Sequence, residues 1–270
     1  MGPGTRLPAV AGHFYPKDPA EVSRQVTALS ADGAPEQRAM AIVCPHAGWV
    51  YSGRLAGKLI AGTTVPERVI VLAPNHTGRG ARGAVWPAGT WRLPGTELEV
   101  DEALCRTLVE ESPLLQADRA AHQAEHSIEV LLPLLAARQP KLRISPVVLG
   151  HLDFTECESL GHTLARLIKA EGDGILLVAS SDMNHFATDA QTRQIDRKAL
   201  DPMLKLDARG LHEAVERHGI SMCGYVPATV AVVAARELGA REAELVAYGT
   251  SADVSGDTNR VVGYAAVAFR

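Results

Sequence analysis

The chain has 270 residues, 46% hydrophobic and 21% charged, with a formal net charge of −4; this balance supports a sizeable core and excludes wholesale disorder. Lys and Arg never run beyond two in a row, so nucleic acid and anionic membranes are not expected partners. No apolar stretch reaches the roughly 18 residues of a membrane span, the first residues lack a signal-peptide core, and the four cysteines form no CxxC pair, which together predict a cytoplasmic protein with reduced thiols.

Taken in order, residues 1–18 read as an extended arm pinned by Phe14 and Tyr15. Asp18 and Pro19 open a helix to about residue 29, as N-cap and first helical position. Ala41-Ile-Val-Cys-Pro45 is a buried strand running into His46, followed by a helix over 52–60. Val69-Ile-Val-Leu-Ala-Pro74 is a second such strand, ending at His76. A Gly/Arg loop over 78–83 precedes two short segments, 84–86 and 91–93, which read as a hairpin or edge insertion. Helices are expected over 100–110 and from about Ser127 to 137, the second kinked by Pro133. A strand over 143–149 and a helix over 155–170 follow. Ile175-Leu-Leu-Val-Ala179 then leads through Ser180, Ser181 and Asp182 to His185. Helices over 189–200, 207–218 and 226–238 and strands over 244–248 and 261–269 complete one α/β domain. Its sheet is mixed but mainly parallel, with helices on both faces, because continuous apolar strands are those buried on both sides.

Three strands that each end in a histidine suggest a metal, since functional groups in open α/β sheets gather past the carboxyl ends of the strands. His46 and His76 share a context, each with a nearby preceding Pro and a Gly two residues later. Asp182, three residues before His185, is placed to orient that imidazole for acid/base work. Cys223 lies before the helix over 226–238, where the helix dipole and a nearby metal would lower the thiol pKa. Cys44, Cys105 and Cys157 fall inside predicted strands or helices and read as core. His122-Gln-Ala-Glu125-His126 matches the H-x-x-E-H zinc-peptidase pattern, provided that His122 and His126 share a helix face. Trp49, Tyr51, Phe186 and Tyr225 cluster in sequence about His46, His185 and Cys223 and suit a substrate pocket for a flat ring.

The ordered segments Cys-Pro-His46-Ala-Gly-Trp-Val-Tyr-Ser-Gly53, Ala-Pro-Asn-His76, Glu125-His126-Ser-Ile-Glu129, Ser-Ser-Asp182-Met-Asn-His185-Phe and Met-Cys223-Gly resemble the Memo family. The resemblance implies a fold similar to the class III extradiol ring-cleaving dioxygenases and a mononuclear site of His46, His76 and Cys223, with Asp182, His185, Glu125 and His126 near it. It also implies a functional link to a radical-SAM protein and, from a eukaryotic member, a phosphotyrosine-binding or metal-dependent redox role. A thiolate in place of the dioxygenase carboxylate shifts metal preference toward softer ions. The expected cofactor is iron(II), with copper or zinc as alternatives. The expected function is a dioxygenase-like oxidoreductase acting on a small substrate. The alternatives are a non-catalytic binding module for a phosphorylated or aromatic small molecule or peptide, and a zinc peptidase.

Overall fold

The structure is a computed structural model that describes residues 4–172 and 174–270; the first three residues of the predicted arm lie outside them. The arm contributes β1 (Thr5–Arg6), and Asp18 caps α1 (Pro19–Leu29) by accepting from the Glu21 N–H. β2 (Ala41–Cys44) runs into the His46 loop, a π-helical turn over Trp49–Gly53 and α2 (Arg54–Ala61). β3 (Arg68–Pro74), β4 (Gly83–Val85), β5 (Thr90–Leu93) and β6 (Thr96–Val100) precede α3 (Glu102–Glu111), β7 (Gln116–Ala117) and α4 (Leu132–Arg138). β8 (Arg143–Leu149), α5 (Phe154–Ala170) and β9 (Ile175–Ser180) form a strand–helix–strand unit. β10 (His185–Ala187), α6 (Asp189–Leu204), α7 (Ala208–His218) and α8 (Tyr225–Glu237) follow, and β11 (Ala243–Thr250), the short α9 (Ala252–Ser255) and β12 (Val261–Phe269) end the chain.

The sheet runs β1-β5-β6-β8-β3-β9-β2-β12-β10, with β11 on β12 and β4 and β7 beside β8. Its centre, β8-β3-β9-β2, is wholly parallel, and every residue of β2 and β9 is buried. Full burial on both faces is why these segments are continuous apolar runs rather than alternating ones. α8, packed with α5 and α7, lies over β2, β3 and β9, while α2, packed with α1 and α4, lies over β2, β11 and β12. The fold is therefore α/β, with a mixed, mainly parallel sheet flanked by helices. No helix among the described residues is long and apolar enough to cross a membrane.

Three local expectations are corrected. Segments 84–86 and 91–93 do not pair with each other: β4 pairs with β8 and β7, whereas β5 forms its hairpin with β6. Pro133 kinks nothing, because it sits in the first turn of α4, where its missing N–H leaves no helical bond unmade. The stretch before it, 119–131, is made of turns, so His122 and His126 do not share a helix face.

The parallel centre has a direct consequence for chemistry. With Cys44 in register with Ser180, and Leu72 with Ala179, the chain leaves β2, β3 and β9 at the same edge of the sheet. His46, His76 and Asp182 all lie within two residues of those strand ends.

Candidate metal centre

His46, His76 and Cys223 each place one ligand atom within 4.8 Å of the others'. The loop carrying His46 is held by Asp182, whose Oδ1 accepts from the N–H groups of His46 (2.8 Å) and Ala47 (3.3 Å). The Asp182 N–H in turn donates to Cys223 Sγ at 3.2 Å. Cys223 is brought in by the turn before α8, where Gly224 lies against the end of β9. A Cβ at Gly224 would meet the Ser180 carbonyl oxygen at 2.2 Å, so the turn approaches this closely only because the residue is glycine.

The hydrogen-bond network assigns a tautomer to each imidazole. The Ser180 hydroxyl donates to the Ser127 carbonyl (2.7 Å), leaving its oxygen to accept from His46 Nδ1 at 2.7 Å. The lone pair of His46 then lies on Nε2, which faces Cys223 Sγ at 3.3 Å. His76 Nδ1 donates to Glu125 Oε1 at 2.8 Å, so its lone pair also lies on Nε2. An oriented imidazole whose other nitrogen is held by a hydroxyl or carboxylate is the usual arrangement around a bound metal. Both partners come from residues 125–127 or from the last residue of β9.

Glu125 is almost completely buried, with neither oxygen free. Oε1 accepts from His76 Nδ1, the N–H groups of His126 and Ser127, and the Ser127 hydroxyl, while Oε2 accepts from the His76 N–H. Burial alone would raise its pKa, but the bonds from His76 and Ser127 outweigh it and lower the carboxyl to about 2. Glu125 is thus a permanent anion that orients His76 rather than a ligand. His126 stacks on His76 (ring centroids 4.6 Å, interplanar angle 29°) and is backed by Phe14 at 4.6 Å. Burial, with the neighbouring histidines, holds His46 well below its ordinary pKa, and burial also lowers His126 and His185. Neutral imidazoles are the form that binds metal.

Other expected roles change. Asp182 does not orient His185, being committed to the His46 loop. His185 Nδ1 instead donates to the Ser221 carbonyl at 2.7 Å, and the His185 N–H to Ser221 Oγ at 2.7 Å. Burial pushes the Asp182 carboxyl up to about 7 against the lowering effect of the His46 and Ala47 N–H groups. The Cys223 thiol is raised rather than lowered, by burial first and then by Asp182; Gly224 gives α8 no side-chain cap. Trp49 is a core residue, its Nε1 donating to the Val130 carbonyl and its ring beside Tyr15. Tyr51 and Phe186 are exposed, and Tyr225 is half-buried with its hydroxyl 2.9 Å from His151 Nδ1. His122 is buried away from the cluster, with Nε2 bonded to the Ala84 carbonyl, which removes the geometric basis of the peptidase pattern.

Sequence reasoning gave no role to Ser180 or Ser127 and read the N-terminal arm only as pinned by Phe14 and Tyr15. Arg6 and Glu129 form a buried ion pair at 2.7 Å. Arg6 also donates to the carbonyls of His122 and Glu125, and Glu129 accepts from the N–H groups of Ala9 and Val10 and from Tyr15 Oη. The arm thereby fixes the segment that carries Glu125, His126 and Ser127. A further signal for that role is Glu129, the one acidic residue in an otherwise apolar run from Ile128 to Ala137.

The family model described as Memo-like protein matches residues 6–268. A MEMO1 family protein of Methanopyrus kandleri is 37% identical over 279 aligned residues, covering 98% of this chain and 99% of its own. Another, of Methanosarcina barkeri, is 38% identical and covers 97% and 98%. An uncharacterized protein from Escherichia coli K12 has a crystal structure that superposes with a TM-score of 0.59 at 15% identity, covering 84% of this chain and 98% of its own, a likeness of fold alone. With the match running nearly from end to end and the His/His/Cys cluster at its strand ends, this chain belongs to the Memo-like protein family.

Proposed function

We propose that the chain is a mononuclear metalloprotein, with the metal held by His46 Nε2, His76 Nε2 and Cys223 Sγ, and that it is an oxidoreductase acting on a small substrate. The observation that carries this reading is the pair of second hydrogen bonds, Ser180 to His46 and Glu125 to His76, which leave the lone pair of each ring on Nε2, with His46 Nε2 3.3 Å from the Cys223 thiol and ligand atoms of all three residues within 4.8 Å of one another. Two imidazoles and a thiolate suit iron(II), with copper and zinc as alternatives. A metal at these donors would supply a Lewis-acidic or redox-active centre. A bound cation also inverts the electrostatics at Cys223, favouring the thiolate that burial disfavours in the free protein.

His185 is the proton acceptor in this reading. Its Nδ1–H is committed to the Ser221 carbonyl, so Nε2 carries the lone pair, and its lowered pKa keeps the ring neutral. Glu125 holds His76, and Asp182 ties the His46 loop to the Cys223 turn.

Elemental analysis of anaerobically purified wild type and Cys223→Ser tests the proposal. Near one equivalent of iron or copper in the wild type, lost in the variant, is the expected result. A folded wild type that contains no metal and cannot be reconstituted would sink it. The second reading, a binding module for a phosphorylated or aromatic ligand, is favoured by the exposed Phe186 and predicts that ligand affinity survives His46→Ala.

A further inference from the structure

Behind Cys223, on the side formed by the ends of β3 and β8 and the start of α8, a half-open cleft of about 160 Å³ reaches the thiol. Pro74, Leu149 and Val226 make its apolar walls, and none of its lining residues carries a permanent charge. His151 and Tyr225 supply a polar edge through their 2.9 Å hydrogen bond. Asn75, which also lines it, is already occupied: its amide donates to the Arg79 carbonyl and its oxygen accepts from Thr77 and Gly78.

Size decides what fits. Drug-sized ligands need about 300 Å³ or more, whereas an apolar cavity of about 150 Å³ takes a single benzene ring. We infer that this cleft, which meets the proposed centre at Cys223 and not at His46, His76 or His185, seats the part of the substrate next to that thiol, and that this part is an uncharged body of about one six-membered ring, entering past His151 with any hydroxyl or carbonyl directed to the His151–Tyr225 pair. The inference deepens the functional reading above and rests on it for the word substrate. The cleft itself does not depend on the metal.

The thiol provides a probe that needs no known substrate. Cys44, Cys105 and Cys157 are wholly buried and Cys223 alone is partly exposed among the cysteines. The full chain, freed of metal with a chelator and kept anaerobic, is treated with methylmercuric, phenylmercuric or 1-naphthylmercuric chloride. Each forms an S–Hg bond as the thiol proton and chloride leave, and intact mass counts the adducts. The expected result is one adduct, on Cys223, with the naphthyl reagent slower than the phenyl reagent by about tenfold or more. His151 is exposed, so His151→Trp, which gives up its bond to Tyr225, should still fold. It slows the phenyl reagent by about tenfold and leaves methylmercury within about twofold. More than one adduct would report unfolding, and the melting temperature of each variant checks this independently. Equal phenyl and naphthyl rates, no effect of His151→Trp, or no adduct on Cys223 overturns the cleft as the seat. A protein that passes this test but binds no metal keeps the seat and loses the metalloenzyme reading, so the two failures are distinct.

Discussion

At the scale of single residues, the side chains that hold the proposed ligands bear on the site as much as the ligands themselves. Ser180 contributes no metal-binding atom, yet its hydroxyl determines which nitrogen of His46 carries the proton. Ser180→Ala should therefore lower metal affinity about 10–100-fold while the protein still folds, as measured by competition with a calibrated chelator; unchanged affinity would show that the tautomer of His46 is set elsewhere. Phe186 presents the opposite case, a residue held at some expense to stability. It occupies a bulge in β10 with φ of 69°, a conformation suited to glycine, and it is 63% exposed with the Arg260 guanidinium 4.4 Å from its ring centre. Strain of about 1–3 kcal/mol outweighs an exposed cation–π contact of about 0.5–1 kcal/mol. Phe186→Gly should thus raise unfolding stability by about 1 kcal/mol, measured by urea denaturation, and a loss of stability instead would mean that the ring is needed for packing.

At the scale of elements, the N-terminal arm acts as a strut for the centre. Its Arg6–Glu129 pair is buried on both sides, and removing one partner of such a pair leaves the other charged and uncompensated. Arg6→Met should lower stability by about 3–5 kcal/mol in a denaturant titration, whereas an effect below about 1 kcal/mol would assign the arm no structural role. The elements that position the ligands were the legible ones. β2, β3 and β9 are continuous apolar runs because both their faces are covered, and Asp18-Pro19 announces α1 through capping chemistry. What stayed hidden depended on contacts distant in sequence. β4 and β5 are too short for their alternation to reveal a partner, and β4 pairs with residues far along the chain. The stretch after His122 has a helical apolar pattern, but Glu125 draws nearby N–H groups into its own carboxylate network and the chain turns instead. Asp182 was assigned to His185 because they are three residues apart, although the imidazole it serves through the backbone is His46, past the end of the neighbouring strand β2. Sequence spacing is a good guide to partners within a helix and a poor one where a strand gives way to a loop.

At the scale of the whole molecule, burial of charge sets the response to pH. Asp196 is wholly buried beneath β12, where burial pushes its carboxyl up to about 6 despite bonds donated by Tyr248 Oη and the Asn184 N–H. A carboxyl with a folded-state pKa above its unfolded one binds its proton more tightly in the folded protein, so folding is weakened as pH rises through the interval between the two values. From pH 4 to 7 the wild type should lose about 2 kcal/mol relative to Asp196→Asn, as read from urea unfolding of both proteins at each pH; a constant difference would show that Asp196 does not titrate in this range. The parallel sheet has a further consequence, for the order of events when the protein is made. His46, His76 and Cys223 sit on separate turns far apart along the chain and meet only after the crossovers linking β2, β3 and β9 have formed and α8 has docked. A nascent or unfolded chain offers no local chelate of these three groups. For the proposed metal site, loading should therefore follow folding, and synthesis without metal should leave a folded apoprotein, in contrast to zinc fingers, which need the ion in order to fold.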